Sequence, residues 1–340
     1  MKKAGHSLRL VTEAIQGRPP DEGDWLAVLD IANRGWLGPA LYVALRRAER
    51  LDEIPPPVRD YLSFLHDRNC ERNRRLRAQL LEAIRLMNAA AIEPILLKGA
   101  IHLFAVDDEE LGSRMMSDLD ICIAPAEMTR AMLALASMGY TSSVDHEMER
   151  PDDVGIIEFH DQPSGRSAPY LSDDLGACSR RAERDGVVAR IPSATARALH
   201  LIVHDMIKEG DYWSFRIDVR HLHDLATLAR SGGGLDWQQL CASLPVGAAR
   251  QALMVQARAL EDLFGVQIPP SMRPSRRADL RHMARMLCTS RGRSASVVRL
   301  IGNLSLGVQR FREGSEWLGG WKFTQQVYNR LAGRSAGPRI

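Results

Sequence analysis

The first ninety residues repeat apolar side chains at three- and four-residue spacing. That pattern predicts helices over 25–32, 37–48, 58–68 and 75–90, with Pro55-Pro56-Pro57 breaking the second from the third. The period then changes. Residues 92–97 form a short, branched apolar run closed by Lys98-Gly99, as expected of a buried strand, and 100–106 predicts a short helix. Across 117–124 the chain alternates: Leu119, Ile121 and Ile123 share one face, and Asp118, Asp120 and Cys122 the other. Pro125 opens a helix over 126–138 that Gly139-Tyr140 stops, and 156–160 predicts a further strand. Beyond Pro163 the pattern returns to helix. The clearest pieces are 193–208, with Ser193 as N-cap, and 216–229. Ser231-Gly232-Gly233-Gly234 reads as a linker, followed by helices over 237–244, 248–264, 277–288, 295–311 and 321–331.

The fold class expected is α+β: a small mixed sheet embedded in helices. Its parts are an N-terminal helical region (1–90), a mixed core (91–165), a helical region completing a cleft (166–235) and a basic helical C-terminal region (236–340). The 340 residues carry 45% hydrophobic and 26% charged side chains, ordinary for a chain with a sizeable core. No run approaches the ~20 apolar residues of a membrane span, and the segment after Lys2-Lys3 is too interrupted for a secretory signal. Five scattered cysteines argue against a disulfide framework and a Cys-type zinc site, and make the cytoplasm the default compartment.

The net charge of +3 hides an asymmetry. From Ser271 onward there are 14 Lys or Arg against 3 acids, a net of +11, so the first 270 residues carry −8. Such an end either meets phosphates or is a set of solvated arginines dispersed around helices, and dispersion is the reading favoured, since the arginines recur in nearly every helix with little aromatic interleaving beyond Trp317, Trp321 and Tyr328. Lys98 is one of only five lysines and lies inside an apolar stretch.

The chemistry concentrates around Asp118-Leu119-Asp120. Carboxylates at i and i+2 of a strand project from one face, about 6.6 Å apart at Cα, and can converge on hard cations. The bland alternative is a half-buried strand with a solvated polar face. Upstream, Lys98-Gly99 opens a helix, where free N–H groups and a cation can hold phosphate. Downstream, Glu158 brings a third carboxylate on another strand, with His160 on the same face. His200 and His204 at i, i+4 permit a zinc pair, but no third ligand follows at helical spacing, so they read as polar cleft-lining residues. Arg220 and Asp224 read either as a helix ion pair or as cleft residues. No nucleophile elbow, Rossmann glycine pattern or P-loop is present in the sequence.

In order, these elements are Leu97-Lys98-Gly99, Arg114 with Asp118 and Asp120, Gly139-Tyr140, Glu158-Phe159-His160, Leu199-His200-Leu201 with His204, and Val219-Arg220 with Asp224-Leu225. Over about residues 25–265 the chain resembles the bacterial family of uncharacterised nucleotidyltransferases, within the polymerase-beta-type superfamily. Gly112-Ser113 lies closer to Asp118 than the usual Gly-Ser pair of that superfamily, so Lys98-Gly99 is expected to take the phosphate-loop role.

The resemblance implies a polymerase-beta-like core that transfers a nucleoside monophosphate from a nucleoside triphosphate such as ATP. It implies two Mg²⁺ ions, with Mn²⁺ as a substitute, held by Asp118, Asp120 and Glu158 in a solvent-facing cleft. Lys98, Gly99, Arg114 and Ser117 would bind the nucleotide, while His160, His204, Arg220 and Asp224 would support the site or meet the acceptor. A small molecule or peptide is the favoured acceptor. RNA is an alternative through the basic C-terminal region, as is a non-catalytic nucleotide-binding regulator of the same fold.

Overall fold

A computed structural model describes residues 5–312, apart from 143–145, 162–164, 172–173, 273–274 and 291–292. The helix expected over 321–331, with Trp317, Trp321 and Tyr328, lies outside the described residues. The described chain runs α1 (His6–Ala14), α2 (Trp25–Arg34), α3 (Gly38–Arg47), α4 (Pro56–Ala89), β1 (Ile95–Leu96), α5 (Lys98–Ala105), β2 (Asp118–Cys122) and α6 (Met128–Ala136). Then come β3 (Thr141–Ser142), β4 (Glu147–Glu149), β5 (Ile156–His160), β6 (Ser179–Arg184), β7 (Val187–Pro192), α7 (Ala194–Ile202) and α8 (Asp211–Ser214). The last elements are α9 (Val219–Arg230), α10 (Trp237–Ser243), α11 (Gly247–Phe264), α12 (Arg276–Cys288) and α13 (Arg293–Arg312).

The seven strands form one mixed sheet in the order β3-β4-β5-β2-β1-β7-β6. β2 lies at its centre, antiparallel to β1 and parallel to β5. Its alternation is as the sequence predicts: Leu119 and Ile121 are fully buried, each contributing about 1.5–3 kcal/mol of burial. They pack with Ile157 and Phe159 of β5 and with Leu76, Leu80, Ile84 and Met87 of α4. A second apolar cluster joins Leu8, Val28, Leu41 and Leu62 to Leu222, Leu253 and Phe264, so helices from both ends of the chain share one core. Ser231 to Gly234 connects two helices of that same cluster.

Three expectations need correction. The helices expected over 58–68 and 75–90 are one 34-residue helix, α4, which spans both clusters. Its middle looked like a gap because the buried face there is polar: His66, Asn69 and Asn73 point inward. The chain after Pro163 is also not purely helical, because β6 and β7 form an antiparallel hairpin closed at Asp185-Gly186. Both turn residues have positive φ (50° and 74°), the geometry of a type I′ turn. The outer strand β6 carries Arg180, Arg181, Glu183 and Arg184, which suits an edge that must not recruit another chain. The expected helix over 193–208 changes character at Ile202, becoming a π-helix over Val203–Lys208.

Candidate active site

Parallel pairing of β2 with β5 places Asp120 directly opposite Glu158 and Cys122 opposite His160. Side chains in register on one sheet face are neighbours, so the two carboxylates and His160 converge. Ligand atoms of Asp120, Glu158 and His160 all lie within 4.8 Å of one another. His160 Nε2 donates to Asp120 Oδ1 at 2.8 Å and lies 3.8 Å from Glu158 Oε1.

Lys98 completes the cluster. Leu97 N–H bonds the Asp120 carbonyl at 3.0 Å, which aligns the end of β1 with β2. Lys98 then adopts φ 41°, a left-handed conformation unfavourable for a side-chain-bearing residue. Its ammonium donates to Asp120 Oδ1 at 2.5 Å. Gly99 is needed next: a Cβ there would lie 2.7 Å from Met116 Sδ and 3.0 Å from an Arg114 guanidinium nitrogen. The Lys98-Gly99 turn and the Arg114–Met116 segment thus press together.

Asp120 is not the solvent-facing carboxylate the alternation suggests. Its side chain is 2% exposed, roofed by Lys98 and His160. Burial alone would raise its pKa, but the His160 hydrogen bond and the Lys98 ammonium hold it well below the ordinary carboxylate range. Asp118, on the same strand, is half-buried and stands outside the Asp120–Glu158–His160 group. It lies in the field of Arg72 and Arg114. Ser117 is exposed at the entrance to β2.

Arg114 pairs with Asp224 at 2.8 Å. Burial works against the guanidinium charge, yet Asp224, then Asp120 and Asp118, hold its pKa above the ordinary value. The Asp224 carboxyl, opposed by the same burial, is brought down to about 2 by Arg114. Asp224 therefore ties α9 to the loop before β2, and not to Arg220 one turn earlier. The Arg220 guanidinium lies over the Trp36 ring at 5.1 Å and reaches His221 Nε2 at 3.4 Å. His200 and His204 stack with ring centroids 6.4 Å apart along the cleft wall. Burial, helped by the Lys98 charge, brings the His200 imidazole down to about 3, so it is neutral at physiological pH.

The residues that position this site were missed in the sequence, and they sit on α4. Asn69 Nδ2 donates to the carbonyls of Gly112 (2.8 Å) and Arg114 (3.0 Å). Asn73 Nδ2 donates to those of Leu111 (2.7 Å) and Arg114 (2.9 Å). Arg72 donates to the Met116 carbonyl. Nearly two turns further, the Gln79 amide brackets Gly155, donating to its carbonyl at 2.7 Å and accepting from its N–H at 3.2 Å. The strands bearing Asp120 and Glu158 are thus both pinned at their entrances by one helix. The only sequence signal was polar residues recurring at i, i+4 inside a helical stretch (Asn69, Asn73).

Two groups among the described residues have the donors to hold a metal. Besides Asp120–Glu158–His160 there is His204–Asp205–His221. The first is oxygen-rich and lies beside cationic groups suited to phosphate. In the second, the Nδ1 atoms of both histidines already donate to Asp205 Oδ1, at 3.0 Å and 2.8 Å. No helix among the described residues is long and apolar enough to cross a membrane.

No curated protein and no solved structure matches this chain. Residues 21–265 match the family described as uncharacterised nucleotidyltransferase, and that stretch contains the mixed sheet, the Asp120–Glu158 pair, Lys98 and Asp224. The chain belongs to the uncharacterised nucleotidyltransferase family.

Proposed function

We propose that the chain transfers a nucleoside monophosphate from a nucleoside triphosphate to a small-molecule or peptide acceptor, with the Asp120 cluster as the reaction centre. The observation that carries this reading is the in-register Asp120–Glu158 pair with the Lys98 ammonium against Asp120, in a chain of nucleotidyltransferase family. Asp120 stays ionised through the physiological range, and with Glu158 and Asp118 it supplies the carboxylate set that Mg²⁺ prefers to share with phosphates and water. Mg²⁺, or Mn²⁺, held there would neutralise triphosphate charge and stabilise the leaving pyrophosphate.

The chain's own contribution is position and charge. Lys98 and Arg114 flank the carboxylates and offset phosphate charge; Gly99 lets the two cationic segments approach. His160 holds Asp120 from the opposite side and fixes its orientation. Little covalent work falls to the protein in such a transfer, so a rigid charged cradle suffices. The test is incubation with each α-labelled nucleoside triphosphate, Mg²⁺ and a whole-cell extract. Label appearing in an acceptor, with release of pyrophosphate, is the expected result. Absence of label with all four triphosphates sinks the reading.

Lys98→Met isolates the phosphate term. Affinity for ATP should fall about tenfold or more, while affinity for adenosine stays unchanged, because the lost interaction is Coulombic. Calorimetry on both ligands decides; an equal loss for each would remove Lys98 from the phosphate site.

The small acceptor is favoured over RNA by how the basic region is used. Arg281 donates to the Tyr212 carbonyl and lies over its ring, 4.0 Å from the centroid. Arg285 is buried, bonded to the Arg216 carbonyl and Gln256 Oε1. Arg299 donates to the carbonyls of Cys288 and Ser290. Guanidinium groups held on carbonyls of the chain's own fold serve packing first. Binding of tRNA should therefore be weak and change little between low and physiological salt, as filter binding would show. A steep decline, about one log–log unit per neutralised phosphate, would restore RNA.

A further inference from the structure

A cavity of about 210 Å³ adjoins the Asp120 cluster. Lys98 and His160 line it, together with Tyr170, His200, His204 and Lys208 among others. That volume is smaller than the roughly 300–1,000 Å³ of drug-sized sites, and suits a group of side-chain size. His204 stands out among the lining residues for what holds it. Its ring is 23% exposed, whereas its partner Asp205 is 4% exposed. His204 Nδ1 donates to Asp205 Oδ1 at 3.0 Å, which leaves a lone pair on Nε2. Glu209 Oε1 lies 3.9 Å from that Nε2, too far for a hydrogen bond.

Asp205 is itself fixed. His221, 7% exposed, donates its Nδ1–H to the same Oδ1 at 2.8 Å, while its Nε2 faces Arg220 at 3.4 Å. Asp205 Oδ2 is buried without a hydrogen-bond partner, a costly arrangement for a group serving only packing. His204 and Asp205 also sit in the π-helix Val203–Lys208, a distortion that recurs at functional sites. An imidazole oriented by a buried carboxylate, with its other nitrogen unbonded beside a cavity, is the arrangement of a general base.

We propose that this cavity is the acceptor site, that it takes a hydroxyl-bearing group, and that His204 is the base that deprotonates it. The inference rests on the nucleotidyl-transfer reading above and adds the acceptor chemistry to it. The acceptor O–H gives its proton to His204 Nε2, and the oxygen forms a bond to the α-phosphorus. The bond from that phosphorus to the α–β bridging oxygen breaks, and pyrophosphate leaves with the electron pair. Asp205 is a positioning residue: it holds the tautomer and stabilises the imidazolium that forms. Groups near His204 are Asp205, Lys208 and Glu209 on its own segment, His200 on α7 and His221 on α9. Tyr170, Lys98 and His160 line the same cavity.

The experiment compares wild type, His204→Gln and Asp205→Asn, using α-labelled triphosphates and a cell extract split by ultrafiltration into small-molecule and protein fractions. Binding of α,β-methylene-ATP, a non-reacting analogue, reports folding and the nucleotide site. Expected is analogue binding like wild type in both variants, with transfer slowed by about 10²-fold or more. The labelled fraction tells a free hydroxyl compound from a protein side chain. Diethyl pyrocarbonate should modify His204 faster than His221, and more slowly after Asp205→Asn. His204→Gln transferring at the wild-type rate overturns this inference alone. So would one tightly held zinc per chain that shields His204 from the reagent, since the cluster would then be a metal site. A wild-type chain that releases no pyrophosphate with any triphosphate overturns the transfer reading, and this inference with it.

Discussion

Asp120→Asn should reduce nucleotidyl transfer by about 10²–10³-fold or more, the scale seen when one preorganised charge-stabilising group is lost. The substitution keeps shape and removes charge. In the native chain one oxygen accepts from both Lys98 Nζ (2.5 Å) and His160 Nε2 (2.8 Å), so the carboxylate is the hub that orients both. With a neutral amide, the ammonium loses its counter-charge and the carboxylate pair opposite Glu158 is broken. Stability should fall as well, by about 1–3 kcal/mol, because partly buried donors lose an ionised acceptor. This departs from the sequence alone, which places Asp120 in a solvent-facing cleft where its removal would hardly affect folding. Steady-state transfer and chemical denaturation of the same variant separate the two effects. Transfer within threefold of wild type would move the chemistry elsewhere.

The central strand, its neighbour β5 and the Lys98-Gly99 turn were legible because each is a local pattern. Leu119 and Ile121 alternate with Asp118 and Asp120, and Lys98-Gly99 closes an apolar run. Burial of Asp120 was not legible, since alternation tells which face a side chain takes but not what covers that face. Lys98 and His160 cover it, and they come from 22 and 40 residues away in the chain. The β6–β7 hairpin was missed for a different reason. Asp185-Gly186 is a strong turn signal, but β6 has a charged edge pattern with no apolar face to match it. In α4 the apolar period lapses around Asn69 and Asn73 because their contacts are loop carbonyls about forty residues downstream. A buried face that binds backbone is polar, and a hydrophobic period cannot show it.

Asp224→Asn should cost about 3–5 kcal/mol, the range for breaking a buried ion pair from one side. Arg114 and Asp224 are only 14% and 22% exposed, so water screens the pair weakly. The Arg114 backbone is fixed independently by Asn69 and Asn73, and the stranded guanidinium cannot swing out without pulling on the segment against Gly99. The pair also predicts a pH dependence. Asp224 has its pKa brought down to about 2 by Arg114, against an ordinary 3.8. In that window the unfolded chain binds a proton that the folded chain does not. Its contribution is therefore complete above about pH 4 and is lost as the pH falls toward 2. Wild type should lose stability over this window more steeply than Asp224→Asn, whose curve lacks that proton uptake. Denaturant titrations at several pH values measure the slopes directly. Parallel curves for the two proteins would mean that the charge pair adds nothing beyond a neutral hydrogen bond in holding α9 to the Arg114 loop.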